Sequence, residues 1–315
     1  MLHRSWLYIS LFSVFVIIIL LSRIRRQSTL IIASDEQHFI AVLNRILIPR
    51  WPGSSGHTRV REFLVNQLNQ LGFTVFQDAI TDPFPLTNVL GISNPLAERF
   101  LLLSCHYDTK YLESGEFFVS ATDAGVSCAL LLNMAKKLTA LPDIDLLKRR
   151  DIGLVLAFFD GHDSAEGIND ATYPLFGSQN FVDNKILPLE SINVVITLNM
   201  IGAPNHIYMS KYERTYILHE MMANIEQKLR QSGQLIKCPQ LFYKLKSHDT
   251  DMYDDHYPFL NASVPVMHVV PHTYPDVWLQ DDDNIQNLHW PSVHNVNAIL
   301  TRFIYEYIQG YDDSL

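Results

Sequence analysis

The chain has 315 residues, three cysteines, and 24 Lys plus Arg against 33 Asp plus Glu, for a formal net charge of −9. That length is ample for a sizeable core in one large α/β domain or two small ones. The absence of repeats, low-complexity tracts or a Gly/Ser linker argues for one. The acidic balance, with no Lys/Arg-dense stripe interleaved with aromatics, excludes nucleic acid as the main partner.

Residues 6–21 are an uncharged apolar run, slightly short of the roughly 20 residues that span a bilayer. No small-x-small cleavage pattern follows, so the run is predicted to be an uncleaved signal anchor. It lies in an N-terminal unit, 1–26, ahead of a single domain over 27–315. Arg23, Arg25 and Arg26 outnumber Arg4 across it. By the positive-inside rule that count points the C-terminal side to the cytoplasm.

Ser34 and Asp35 open a predicted helix that runs through Leu47 and stops at Pro49. Residues 51–56 form a Pro/Gly/Ser turn. Residues 58–71 place Val60, Phe63, Leu64, Leu68 and Leu71 on one helical face, and Gly72 ends it. Residues 73–80, 88–92 and 100–105 follow as strands. Leu130, Leu131, Met134 and Leu138 then recur at helical spacing. Ile152–Phe159 (IGLVLAFF) is continuously apolar, as a strand buried on both faces would be. Residues 194–198 and 264–270 read the same way, and helices are predicted over 212–230 and 293–307. Buried strands alternating with amphipathic helices make an α/β layered domain.

In such sheets, sites collect beyond the carboxyl ends of the strands. His106, the run Asp160-Gly161-His162-Asp163, and Asn199 all follow strand ends. His106 and Asp108 stand at i and i+2, so a continuing strand would point both into one cleft. Asp123 sits at a strand-to-helix junction, where a carboxylate can turn towards a ligand or a metal. The plainer alternative is a His106–Asp108 hydrogen-bonded pair, with Asp123 capping the helix.

The chain resembles the glutaminyl-peptide cyclotransferases (glutaminyl cyclases), relatives of the zinc aminopeptidases that use one metal instead of two. The resemblance is carried by IPRWPGSSGHTRVREFL, SCHYDTKY, ATDAGVSCA, LAFFDG, FGSQNF, LNMIGAPN, YDDHYPFL, VPVMHVVP, YPDVW and DDDNIQNL, in the family's order. It implies a zinc-exopeptidase-like fold: a three-layer αβα domain around a central mixed, mostly parallel twisted sheet. It implies one zinc ion, and peptide or protein N-termini beginning with glutamine as partners, converted to pyroglutamate with release of ammonia. It also implies a disulfide between Cys105 and Cys128, the alternative being two buried free thiols. A lumenal domain anchored in the Golgi or endoplasmic-reticulum membrane is expected on this ground, against the arginine count; secretion is the alternative.

The family's metal ligands are an aspartate, a glutamate and a histidine. Asp123 matches the first. Asp163 stands at the glutamate position, one methylene shorter. The histidine position is Leu279, which cannot bind a metal. Because catalytic zinc normally keeps three protein ligands, weak binding is expected. His272, upstream in the same loop, and His162, beside Asp163, are the candidate substitutes; both as surface histidines is the bland alternative. The family's acid/base glutamate position is His162. Of the two aspartates that share its proton network, one is Asn199 and the other is Asp254, intact. Trp278 and Tyr274 keep an aromatic pocket wall. A tryptophan expected within 164–173 is missing.

These departures gather at the reaction centre, while segments such as LAFFDG and VPVMHVVP are kept. The expected function is a cyclotransferase-like protein of reduced or lost activity. The alternatives are an inactive lumenal protein that binds peptide N-termini or another partner, and, least favoured, a two-zinc aminopeptidase. The latter would need a carboxylate at Asn199.

Overall fold

The computed structural model describes residues 13–20, 35–81, 84–112, 118–163, 175–247 and 252–310. Of the predicted anchor, residues 13–20 form a largely exposed helix, and the rest lies outside the described residues. Among the described residues no helix is long and apolar enough to cross a membrane.

The helices α1 (Glu36–Ile46) and α2 (Ser55–Gln70) come first. Asp35 caps α1 through the backbone N–H of His38, and Ser54 caps α2 through that of His57. Helix α2 therefore starts inside the expected Pro/Gly/Ser turn, because Ser54 offers its oxygen to the first turn. Strands β1 (Thr74–Ile80), β2 (Leu86–Ile92) and β3 (Arg99–His106) lead to α3 (Val126–Thr139). Then come β4 (Ile152–Phe159), α4 (Phe176–Asp183), β5 (Ile192–Leu198), β6 (Tyr208–Ser210), α5 (Tyr216–Gln231), β7 (Phe242–Lys246), α6 (Tyr257–Asn261), β8 (Val266–Val269) and α7 (Trp290–Gln309).

The main sheet has the order β1-β2-β4-β3-β5-β8. Its β4, β3, β5 and β8 are mutually parallel, and β2 is antiparallel to both β1 and β4. Alternate residues of each strand feed separate cores. Leu101, Leu103 and Cys105 of β3 join α1, α2, α3, α5 and α7 in the larger one. Phe100 and Leu102 face the smaller one, with Phe181 of α4 and Phe259 of α6. Every residue of β4 is buried, as a strand covered on both faces requires. The fold is the expected three-layer arrangement.

The small parallel sheet of β6 and β7 was not legible in the pattern. It is held by a tertiary contact: buried Glu226 of α5 accepts the backbone N–H groups of Leu241 (2.9 Å) and Phe242 (2.7 Å).

Cys105 and Cys128 are both buried and are not joined in the structure. Their sulfurs face each other at 2.7 Å.

Candidate active site

The site forms where β3, β4 and β5 end. His106 is the last residue of β3, and Asn199 follows β5 directly. After β4 the chain turns at Gly161, whose φ is +73° and whose Cβ, if present, would lie 2.5 Å from Leu86 Cδ1. Only glycine suits both conditions, and the turn carries His162 and Asp163 into the cleft.

Asp123 arrives from the segment Ala121–Gly125 ahead of α3. Its neighbour Thr122 donates from its backbone N–H (2.8 Å) and hydroxyl (3.0 Å) to buried Asp283. Behind this segment lies Arg50, fully buried. Its guanidinium donates to the carbonyls of Tyr107 (2.7 Å), Ser120 (3.1 Å), Ile48 and Val119. One side chain thus fixes the loops that present Asp108 and Asp123.

Asp123 does not cap α3, which has no side-chain cap. It accepts instead from His106 Nε2 (3.0 Å) and the Trp278 indole (2.9 Å). His106 Nδ1 donates to the backbone carbonyl of Asp108 at 3.3 Å and lies 3.6 Å from its Oδ1. Burial opposes its charge, but the hydrogen bonds to Asp108 and Asp123 outweigh that and hold its pKa well above the ordinary imidazole value.

The His162 ring stacks on that of His106 at 3.9 Å with planes 9° apart. Its Nδ1 lies 3.0 Å from Asp255 Oδ2, and Asp255 also accepts from Ser178. Burial and the neighbouring His106 charge lower the His162 pKa; Asp255 and Asp254 prevail and raise it to about 9. The Asp255 contact thus favours the protonated ring in the metal-free site.

Asn199 Nδ2 donates to Asp254 Oδ2 (3.0 Å), which also lies 2.9 Å from His268 Nε2. Burial works against the Asp254 charge; His268 and His162 overcome it and hold this carboxyl well below the usual range. Tyr274 packs on Trp278 with ring centroids 4.4 Å apart and forms part of the mouth. The structure thus brings together Asp123, His162, Asp254, Asn199 and Trp278. His272 stands apart from the donor clusters, with its backbone N–H on the Ile207 carbonyl (2.8 Å) and Nδ1 3.4 Å from Ser247 Oγ. The segment 164–173 lies outside the described residues.

Sequence reasoning gave no role to Arg50, Asp255, His268 or Asp283. For two of them a signal existed: the doubled acid in Tyr253-Asp254-Asp255-His256, and a lone polar residue inside the apolar strand β8.

The residues fit a metal ion. Asp163 is fully buried, and among the described residues neither carboxylate oxygen has a hydrogen-bond partner. Burial and then the Asp123 charge push its pKa up to about 7, a cost that a bound cation would relieve. Imidazole and carboxylate donors also suit zinc. Among the described residues they gather in three groups: His106, Asp123 and His162; His106, Asp108 and Asp163; His162, Asp254 and Asp255.

A pH dependence follows for the metal-free chain. Burial also raises the Asp283 carboxyl to about 7. Between about pH 4 and 7 the folded state keeps protons on Asp163 and Asp283 that the unfolded state has released. Stability therefore falls as pH rises through that window. Raised His162 and His106 extend the fall in the same direction, because the unfolded chain loses their protons first; His38, His206 and His219, lowered by burial, offset part of it. Thermal melts in zinc-free buffer should give a higher Tm near about pH 5 than near about pH 7.5. A Tm that rises over that interval would contradict these assignments.

Comparison with known proteins accords with this arrangement. The model for peptidase family M28 matches residues 88–304. A glutaminyl-peptide cyclotransferase of Drosophila melanogaster is 32% identical over 87% of this chain and 82% of its own length. A glutaminyl-peptide cyclotransferase-like protein of Mus musculus is 34% identical, over 84% of this chain and 74% of its own. The crystal structure of a Macrostomum lignano glutaminyl cyclase superposes with a TM-score of 0.78 at 26% identity, covering 90% of this chain and 92% of that one. A Zn-dependent exopeptidase from Parabacteroides distasonis shares the fold, with a TM-score of 0.68 at 19% identity over 86% and 98% of the two chains.

Proposed function

The chain belongs to the glutaminyl-peptide cyclotransferases within peptidase family M28, and on that premise we propose that it binds peptide N-termini beginning with glutamine and cyclises them slowly or not at all. The observation that carries this reading is which side chains stand at the family's proton-transfer positions, His162 and Asn199. The family's reaction needs a base to take a proton from the α-amine and return it to departing ammonia. Here the residue at that position is His162, an imidazole whose Nδ1 is engaged by Asp255 at 3.0 Å. Its neighbour in the proton network, Asn199, is an amide that hydrogen-bonds Asp254 but cannot hold a shared proton.

Zinc, when bound, would polarise the γ-carbonyl of the glutamine. Asp123 would hold it, with the remaining donors drawn from Asp163, His106 and His162. Trp278 orients Asp123 through its indole N–H and, with Tyr274, offers an aromatic wall to the peptide. Calorimetric titration with a glutamine-initiated peptide, followed by mass analysis of the recovered peptide, tests the reading. Binding is expected with the peptide recovered uncyclised and weakened in Trp278→Ala. No binding would overturn the proposal.

The same reading places the domain in a lumen of the Golgi or endoplasmic reticulum, behind an anchor at residues 6–21, with Cys105 and Cys128 oxidised there. Such a pairing would stabilise by about 3 kcal/mol in the chain-entropy picture. Protease should leave the domain intact in sealed microsomes, and non-reducing peptide mapping should recover the two cysteines as one linked species. Digestion without detergent, or both cysteines as free thiols, would contradict this placement.

A further inference from the structure

We propose that the mouth of this site reads the residue following the N-terminal glutamine and favours arginine there, with its guanidinium stacked on Tyr253 inside an acidic rim. The proposal rests on the reading of the chain as a binder of glutamine-initiated peptides, and adds which side chain comes second.

Three observations carry it. First, Tyr253 stands at the site and faces outward. Its neighbour Met252 is buried in an apolar cluster with Met200 and Val270, against which Trp278 packs. Its other neighbour, Asp254, is buried and accepts from Asn199. Between these two inward side chains Tyr253 is 51% exposed. A large ring held half in water leaves apolar area that a ligand can bury. Tyr257 braces it, with ring centroids 4.6 Å apart, so its orientation is set before a peptide arrives.

Second, Tyr274 is 43% exposed and packs on Trp278. The same apolar floor therefore carries exposed aromatic faces from two loops.

Third, the part of the chain that supplies these rings is acidic throughout. Residues 252–301 contain six aspartates and no lysine, arginine or glutamate. Asp276, Asp281 and Asp282 are exposed on the loop that presents Tyr274 and Trp278. Asp276 lies two residues from each, hence within about 7 Å along the backbone. That is inside the Debye length of about 8 Å at physiological salt.

A peptide whose glutamine side chain enters the pocket carries its second residue over this mouth, because consecutive Cα atoms are only about 3.8 Å apart. Arginine suits what it meets there. The guanidinium is planar, stacks on an aromatic face, and keeps its edge N–H groups for water and carboxylates. A carboxylate in that place meets like charge. A phenylalanine gains the stack but nothing from the rim.

The test is calorimetric titration of the unmodified chain with four C-terminally amidated peptides, Gln-Arg-Ala-Ala, Gln-Ala-Ala-Ala, Gln-Phe-Ala-Ala and Gln-Glu-Ala-Ala. The arginine peptide should bind about tenfold tighter than the alanine peptide, the phenylalanine peptide should fall between them, and the glutamate peptide should be weakest. Tyr253→Leu keeps apolar bulk and removes the ring, so the arginine-to-alanine ratio should fall to about threefold or less. Tyr253→Phe keeps the ring and should keep the ratio. An arginine peptide no tighter than the phenylalanine one would overturn the proposal. So would a ratio unchanged in Tyr253→Leu or lost in Tyr253→Phe. Failure of Gln-Ala-Ala-Ala to bind overturns the proposed function and this inference with it; binding of that peptide without an arginine preference overturns the inference alone.

Discussion

Leu279→His, His162→Glu and Asn199→Asp, introduced together, are expected to raise glutamine cyclisation by on the order of 10²–10⁴-fold over the unmodified chain. Each restores a different requirement. A histidine at 279 returns the family's third metal ligand. A glutamate at 162 restores a carboxylate able to accept the amine proton. An aspartate at 199 lets the proton be shared with Asp254, now held at 3.0 Å by an amide. Groups that act as one catalytic unit are not additive, so most of the gain should appear only when all three are present, and each single change should give little. The pocket around them is already in place: Asp123 is fixed by Trp278 and by the Thr122–Asp283 bonds behind it. Cyclisation rates with added zinc, measured for the singles, the doubles and the triple, would check this. A triple variant that folds and binds zinc yet is no faster than the unmodified chain would show that the barrier lies elsewhere.

Arg50→Met should destabilise the fold by about 3 kcal/mol or more. The guanidinium is fully buried and donates to backbone carbonyls on both loops of the site. Methionine fills a similar volume but leaves those carbonyls without a donor, and each buried acceptor so orphaned costs about 1–3 kcal/mol. Arg50→Lys keeps the charge but not the planar fork that reaches several carbonyls at once, and should fall between. Urea unfolding followed by circular dichroism reads the change in midpoint. A shift equivalent to less than about 1 kcal/mol for Arg50→Met would mean that the loops are held by other contacts.

The layered fold was legible because its strands are buried on both faces. A run such as IGLVLAFF admits few other readings, and the structure buries each of its residues. The β6–β7 pair was hidden for the opposite reason: Phe242–Lys246 is largely exposed, and its pairing depends on a carboxylate from α5. At the site, residues that follow strand ends could be placed from the chain alone. What they bond to could not. His162 meets Asp255 across 93 residues and Trp278 meets Asp123 across 155, and nothing local in the sequence encodes such pairs. Arg50 lay between a helix read as stopping at Pro49 and a turn read over 51–56, where a charged residue ordinarily faces water; its burial follows from four carbonyls that converge only after folding. The capping role considered for Asp123 failed likewise, because its hydrogen-bond donors come from β3 and from the loop after β8.

The central claim is that a cyclotransferase pocket persists around a reaction centre that has lost its base. Its most direct test is pyroglutamate formation from a glutamine-initiated peptide by the purified, unmodified chain with added zinc. The expected result is a rate no greater than that of the His162→Ala variant. Robust turnover by the unmodified chain would contradict the account.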